Sequence, residues 1–144
     1  MRDDKYVIMH VDDSLTAREL VMDALEASGY EARSAEDARD LEHILTADPF
    51  LRSAIDMFIL DFEMPDMTGA QVGAIVEMMY DELVAVPFVI YSGRSKEYVE
   101  KMSEEVASLS EGFKENYRGY IGKGPDSGDV LMDKVEKVLA GLGK

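Results

Sequence analysis

The chain has 144 residues, 47% of them hydrophobic, which is one domain's worth of sequence and enough to bury a single core. Its 30 acidic and 15 basic residues leave a formal charge of −15, which repels a phosphate backbone and argues against direct binding to DNA or RNA. With no cysteine there is neither a disulfide nor a thiolate metal site, and His10 and His43, the only histidines, are read as structural rather than as a zinc centre.

In chain order, a short apolar run at 6–11 ends at Asp12-Asp13-Ser14 and reads as a buried first strand. Ala17, Leu20, Val21, Ala24 and Leu25 then fall on one helical stripe, with Gly29 as the stop signal. Residues 30–33 form a weak second strand whose charge suits a sheet edge. Ser34 followed by Asp37 resembles a capping box for a second helix, with Ala38, Leu41, Ile44 and Leu45 on its apolar face until Asp48-Pro49 breaks it. A third strand at 57–60 runs straight into Asp61, and Pro65 and Gly69 turn the backbone before the next helix, whose apolar positions are Val72, Ile75, Val76 and Met79. A buried fourth strand at 86–91 ends at Ser92-Gly93-Arg94. Val99, Met102, Val106 and Leu109 recur at helical spacing, with Ser95 available as the cap. Residues 110–116 have no consistent period and read as a long loop or a frayed helix extension. A short last strand at 117–121 reaches Lys123, and Ser127 is expected to cap a final helix bearing Leu131, Val135, Val138 and Leu139, ended by Gly141 and Gly143.

Strands alternating with helices predict an α/β domain with a five-stranded parallel sheet and five helices, because each right-handed crossover needs a helix to return the chain to the same edge. Four strands end in polar residues of distinct kinds: Asp12-Asp13, Asp61, Ser92 and Lys123. The strand ends of a parallel sheet lie on one side, so these residues are expected to converge in one cleft. Three carboxylates brought together would repel one another and raise their pKa values unless a hard cation sat among them, which predicts a divalent-ion site of the Mg²⁺ type. A hydroxyl and an ammonium beside them match the outer oxygens of a phosphoryl group, and a carboxylate is a known nucleophile toward phosphorus. Each piece also has a plainer reading: Asp12-Asp13 as a helix cap, Ser92 as a turn residue, Lys123 as a solvated loop lysine.

Taken together, these residues resemble the receiver (phosphoacceptor) domain of two-component response regulators, over essentially the whole chain. The resemblance implies a doubly wound, flavodoxin-like sheet in the order 2-1-3-4-5. It implies that Asp61 takes a phosphoryl group from a histidine kinase's phosphohistidine. Asp13, Asp61 and the backbone carbonyl of Glu63 would ligate Mg²⁺ (or Mn²⁺), with Asp12 acting through water. Ser92 would be the switch hydroxyl, Tyr120 the aromatic residue that follows it inward, and Lys123 the phosphoryl-contacting lysine. The expected partners are a sensor histidine kinase or phosphotransfer protein, and a downstream protein on the face made by the fourth helix, fifth strand and fifth helix. Such a domain is not an enzyme beyond its own phosphorylation and dephosphorylation.

Some features depart from the family pattern or extend it. Gly124 stands between Lys123 and Pro125, where the family usually follows its lysine directly with proline across a cis peptide, and the segment before the last strand looks longer than usual. The last helix uses up the chain, so 1–144 is expected to be a single, stand-alone receiver domain with no output domain. No apolar window approaches a membrane span and the start, Met1-Arg2-Asp3-Asp4-Lys5, carries acid where a secretory signal is basic, so the expected location is cytoplasmic. Glu63 and Arg94 each follow a cleft residue by two positions and carry opposite charges, so they are expected to pair across the mouth and set the phosphoryl lifetime. An aspartate-nucleophile phosphatase is the rival enzyme, but it would need Asp where Glu63 stands. The remaining alternative, a phosphorylation-independent interaction module, has no chemical need for this set of polar residues.

Overall fold

The computed structural model describes residues 5–142; the acidic start at 1–4 and Gly143 lie outside the described residues. The elements run β1 (Val7–Val11), α1 (Leu15–Ala27), β2 (Glu31–Ala35), α2 (Ala38–Ala47), α3 (Pro49–Ala54), β3 (Ile55–Leu60), α4 (Gly69–Met79), a 3-10 turn (Asp81–Leu83), β4 (Phe88–Ser92), α5 (Lys96–Leu109), α6 (Glu111–Asn116), β5 (Tyr117–Gly122) and α7 (Ser127–Ala140). The five strands form one parallel sheet in the order β2-β1-β3-β4-β5, as the resemblance implies. All five predicted helices are present, four of them as crossovers and α7 after the last strand, and the short helices α3 and α6 join them.

Alternate side chains along each strand feed opposite layers. Met57 and Ile59 of β3 and Val89 and Tyr91 of β4 pack with Val21 and Leu25 of α1 and with Leu131 and Val135 of α7. Phe58 and Leu60, with Phe88 and Ile90, pack instead with Leu41, Leu45, Val72 and Val99 from α2, α4 and α5. Every residue of β3 is buried, which explains its unbroken apolar run apart from Asp56, whose carboxylate accepts from the Val7 N–H at 2.9 Å. Each fully buried Leu or Ile side chain here contributes about 1.5–3 kcal/mol relative to exposure. Among the described residues no helix is long and apolar enough to cross a membrane.

Several local expectations are corrected. Asp37, not Ser34, caps α2, accepting from the Asp40 N–H at 2.8 Å, because Ser34 is still inside β2. Pro49 ends α2 but also opens α3 at its first turn, where proline's missing N–H costs nothing, with Asp48 as the cap. The 110–116 segment, read as a long loop or a frayed helix extension, is a separate short helix, α6, capped by Ser110: Ser110 accepts from the Phe113 N–H at 3.3 Å, and the Phe113 ring packs on Phe88 and Tyr117 with centroids 5.3 and 5.6 Å away. Leu20 and Met102, expected on buried stripes, are 66% and 42% exposed. In α5 the inward residue after Val99 is Ser103, four positions on, and its hydroxyl donates back to the Val99 carbonyl at 2.7 Å.

Candidate functional site

The sheet register assembles the site. The Asp61 N–H donates to the Val11 carbonyl at 2.8 Å, holding the end of β3 beside the end of β1, and the Lys123 N–H donates to the Ser92 carbonyl at 2.8 Å, doing the same for β5 and β4. Asp12, Asp61 and Ser92 are buried there, whereas Asp13 is exposed at the rim. One carboxylate oxygen from each of Asp12, Asp13 and Asp61 lies within 4.8 Å of the others. Lys123 reaches in from the opposite strand, its Nζ 2.8 Å from Asp12 Oδ2 and 3.4 Å from Asp61 Oδ1.

Gly69 permits the tight packing behind Asp61. A β-carbon at that position would stand 2.3 Å from the Asp61 carbonyl oxygen, so a side chain there would push the end of β3 away from α4. The Gly69 N–H closes the loop by donating to the Phe62 carbonyl at 2.8 Å, and Thr68 and Gln71 then start α4 with a reciprocal capping box. Gly69 is therefore required for close approach rather than only for the turn its position in the sequence predicts.

The two buried carboxylates have opposite protonation tendencies. Burial, and after it the Asp12 charge, push the Asp61 carboxyl up to about 7, and the Lys123 ammonium only partly offsets them. Burial would raise Asp12 too, but the neighbouring His10 ring, the Lys123 ammonium and the Ser14 N–H at 3.0 Å hold it below the usual carboxylate range. Burial would lower Lys123, yet its contacts with Asp12 and Asp61 hold it above an ordinary lysine. His10 is buried with Nε2 3.3 Å from Asp12 Oδ2, and burial lowers its pKa, so the ring is neutral at pH 7. His43 lies on the exposed side of α2, away from the cleft.

The remaining predicted residues gather at the mouth. Ser92 Oγ accepts from the Arg94 N–H at 3.1 Å, and the Tyr120 hydroxyl donates to the Arg94 carbonyl, so both are tied to the turn between β4 and α5. The Arg94 guanidinium is hydrogen-bonded to the Glu63 carboxylate and lies 3.9 Å from the centroid of the Tyr98 ring, which meets Phe62 edge-on at 5.8 Å. Every peptide bond among the described residues is trans, including those around Gly124. Sequence reasoning missed Arg18, whose Nη1 donates to the Asp12 carbonyl at 2.6 Å, and Tyr98, in the first turn of α5, whose ring the Arg94 guanidinium covers from just before the helix.

The family described as response regulator receiver domain matches residues 8–129. The chain belongs to that family. It is a receiver domain of two-component signalling whose acidic cluster, Asp12, Asp13 and Asp61, is consistent with phosphoaspartate and divalent-metal chemistry. Receivers are signalling modules whose chemistry is confined to their own phosphorylation and dephosphorylation. Among solved structures, the receiver is similar in fold to the chemotaxis protein CheY4 of Vibrio cholerae, with 22% identity, a TM-score of 0.73 and coverage of 93% of this chain and 98% of that one. It is likewise similar to the response regulator TrrA of Thermotoga maritima, solved in complex with Mg(2+)-BeF, at 24% identity, a TM-score of 0.70 and coverage of 92% and 98%. A CheY-like receiver domain protein from Methanospirillum hungatei JF-1 gives 18% identity, a TM-score of 0.69 and coverage of 94% of each chain. No curated protein matches the sequence.

Proposed function

We propose that Asp61 is the phosphoacceptor of this receiver, charged by a histidine kinase or phosphotransfer protein. An Asp61 carboxylate oxygen attacks phosphorus, and the bond from phosphorus to the donor's nitrogen, or to oxygen in a small donor such as acetyl phosphate, breaks with its electron pair on the leaving group. The observation that carries this reading is the Lys123 ammonium set between Asp12 and Asp61, where it can neutralise oxygens of a phosphoryl group held on Asp61. The donor set also fits a hard divalent cation: three carboxylates against one ammonium leave an excess of negative oxygen, which Mg²⁺ or Mn²⁺ would accept. Asp13, Asp61 and the Glu63 backbone carbonyl would hold the ion, with Asp12 acting through water. Once bound, it would neutralise charge on the transferring phosphoryl group. Acetyl phosphate with Mg²⁺ should add one phosphoryl mass to the intact chain and none after chelation; an adduct indifferent to chelator would refute the metal's part.

The Ser92 and Tyr120 bonds to the Arg94 backbone offer a route from site to surface. A phosphoryl oxygen that draws the Ser92 hydroxyl away from the Arg94 N–H loosens the turn that Tyr120 also holds, favouring an altered α5-β5-α7 face for a downstream protein. With Mg²⁺ and beryllofluoride, amide shifts should spread through residues 93–122. Shifts confined to the Asp61 loop would contradict the coupling.

The Glu63–Arg94 pair, braced by Tyr98, is proposed to slow the approach of water to phosphorus. Both side chains are about half exposed, so the pair is worth only about 0–1 kcal/mol. Arg94→Ala and Glu63→Ala should each speed loss of phosphate by up to about fivefold, and the double variant should be no faster than the quicker single. Parent rates in both singles, or effects that multiply, would show that the pair does not set the lifetime.

A further inference from the structure

Lys123 is followed by Gly124, the residue with the most backbone freedom, and a β-carbon at Gly124 would meet nothing within 4 Å. Packing at Gly124 itself therefore does not fix the turn that presents the ammonium, whereas hydrogen bonds across the turn brace it. The Ser127 N–H and hydroxyl both reach the Gly124 carbonyl, at 3.1 and 2.8 Å. Ser127 is the first residue of α7, one position past the cap, so its hydroxyl turns back to this carbonyl, and Asp126 at the cap position makes no side-chain cap hydrogen bond. A second hydroxyl completes the chain: Tyr91 Oη lies 2.7 Å from Ser127 Oγ, with both residues buried. Ser127 has one hydroxyl proton, and a carbonyl can only accept, so Tyr91 donates to Ser127 and Ser127 donates to Gly124.

Tyr91 also meets Lys123 directly. The Lys123 Nζ lies 5.6 Å from the centroid of the Tyr91 ring, within the range in which an aromatic ring supports a cation. On β4, Tyr91 immediately precedes Ser92, whose carbonyl accepts the Lys123 N–H at 2.8 Å. The backbone of Lys123, the turn after it and its ammonium are thus all tied to Tyr91 and its neighbour.

We propose that Tyr91 and Ser127 are positioning residues for Lys123, holding its turn through the Tyr91–Ser127–Gly124 hydrogen-bond chain so that the ammonium stays between Asp12 and Asp61. This rests on the reading that Lys123 assists phosphorylation of Asp61. Tyr91→Phe removes one oxygen and keeps the ring, and Ser127→Ala removes the other link. Each variant should be phosphorylated by acetyl phosphate with Mg²⁺ about 10-fold more slowly than the parent, the cost of a small displacement of a catalytic group. The double variant should be no slower than the slower single, since either change opens the same chain.

The decisive readout uses a Lys123→Met background, in which the residual rate should be unchanged by Tyr91→Phe or Ser127→Ala; a merely structural role would cost the same factor in both backgrounds. Thermal melts accompany each variant, and should Ser127→Ala fail to fold, Tyr91→Phe alone carries the test. Parent rates in the Tyr91→Phe protein, or an equal loss with and without Lys123, would overturn the positioning role. A parent rate in Lys123→Met itself would instead remove the role proposed for the lysine, and the positioning role with it.

Discussion

Replacing Asp61 by asparagine should abolish the phosphoryl adduct and, in the same stroke, make the metal-free protein more stable above pH 7. The amide is a poor nucleophile toward phosphorus, so the loss of adduct should be complete. The gain in stability follows from the cost of holding a carboxylate where burial and the Asp12 charge oppose its ionisation. In the unfolded chain Asp61 loses its proton near pH 4, and in the folded chain at about 7. Between those values the folded state binds more protons than the unfolded one, so stability falls as pH rises through the window, and the whole penalty is present above about pH 7.

Asparagine carries no such penalty. At pH 8 it should gain on the order of 2 kcal/mol over the parent, less than the full displacement of the pKa would give because water at the mouth screens the charge. For a chain of this size that is a rise in Tm of about 4–8 °C. Thermal melts in chelator at pH 5 and pH 8 check it: the gap between variant and parent should open mainly at pH 8, and Mg²⁺ should narrow it. An equal gap at both pH values would show that Asp61 is not the strained group.

The second large effect is expected at Lys123. Lys123→Met keeps most of the side chain's bulk but removes the ammonium lying 2.8 Å from Asp12 and 3.4 Å from Asp61. Phosphorylation by acetyl phosphate should slow by about 100-fold, the usual loss when one preorganised charge-stabilising donor is removed. Mg²⁺ affinity, in contrast, should not fall, because the ammonium and the metal draw on the same carboxylates and the rival cation is gone. Titration calorimetry beside the mass-based rate separates the two. A parent rate, or a rate that falls only in step with weaker metal binding, would show that Lys123 does not act on the phosphoryl group.

The parallel α/β class and the gathering of the site residues were legible in the sequence for one physical reason, while the strand order came only with the family resemblance. A parallel sheet buried on both faces makes its strands continuous apolar runs, and it brings all their C-terminal ends to one side, so Asp12, Asp61, Ser92 and Lys123 could be placed together from position alone. The juxtaposition of Glu63 and Arg94 followed from the same ends, two residues further on. Short elements were not legible. The six residues of α6 span less than two turns, too few for a period to emerge, and what holds them is the contact of Phe113 with Phe88 and Tyr117.

Fine register was lost as well. Leu20 and Val21 were both expected on the buried stripe of α1 and only Val21 is buried, while in α5 the buried position is Ser103 rather than the expected Met102. Ser127, expected as a cap, is instead the first residue of α7, and its hydroxyl is taken by Gly124 and by Tyr91, which at 36 residues away leaves no local signal.

The most direct test of the phosphoacceptor is to find the modified atom. The protein is treated with acetyl phosphate and Mg²⁺, reduced with borohydride, which converts an aspartyl phosphate to homoserine, and digested for mass mapping. Homoserine at position 61, and nowhere else, is the expected result. Homoserine at Asp12 or Asp13, or a phosphorylated chain with no reduced residue, would contradict the assignment of Asp61.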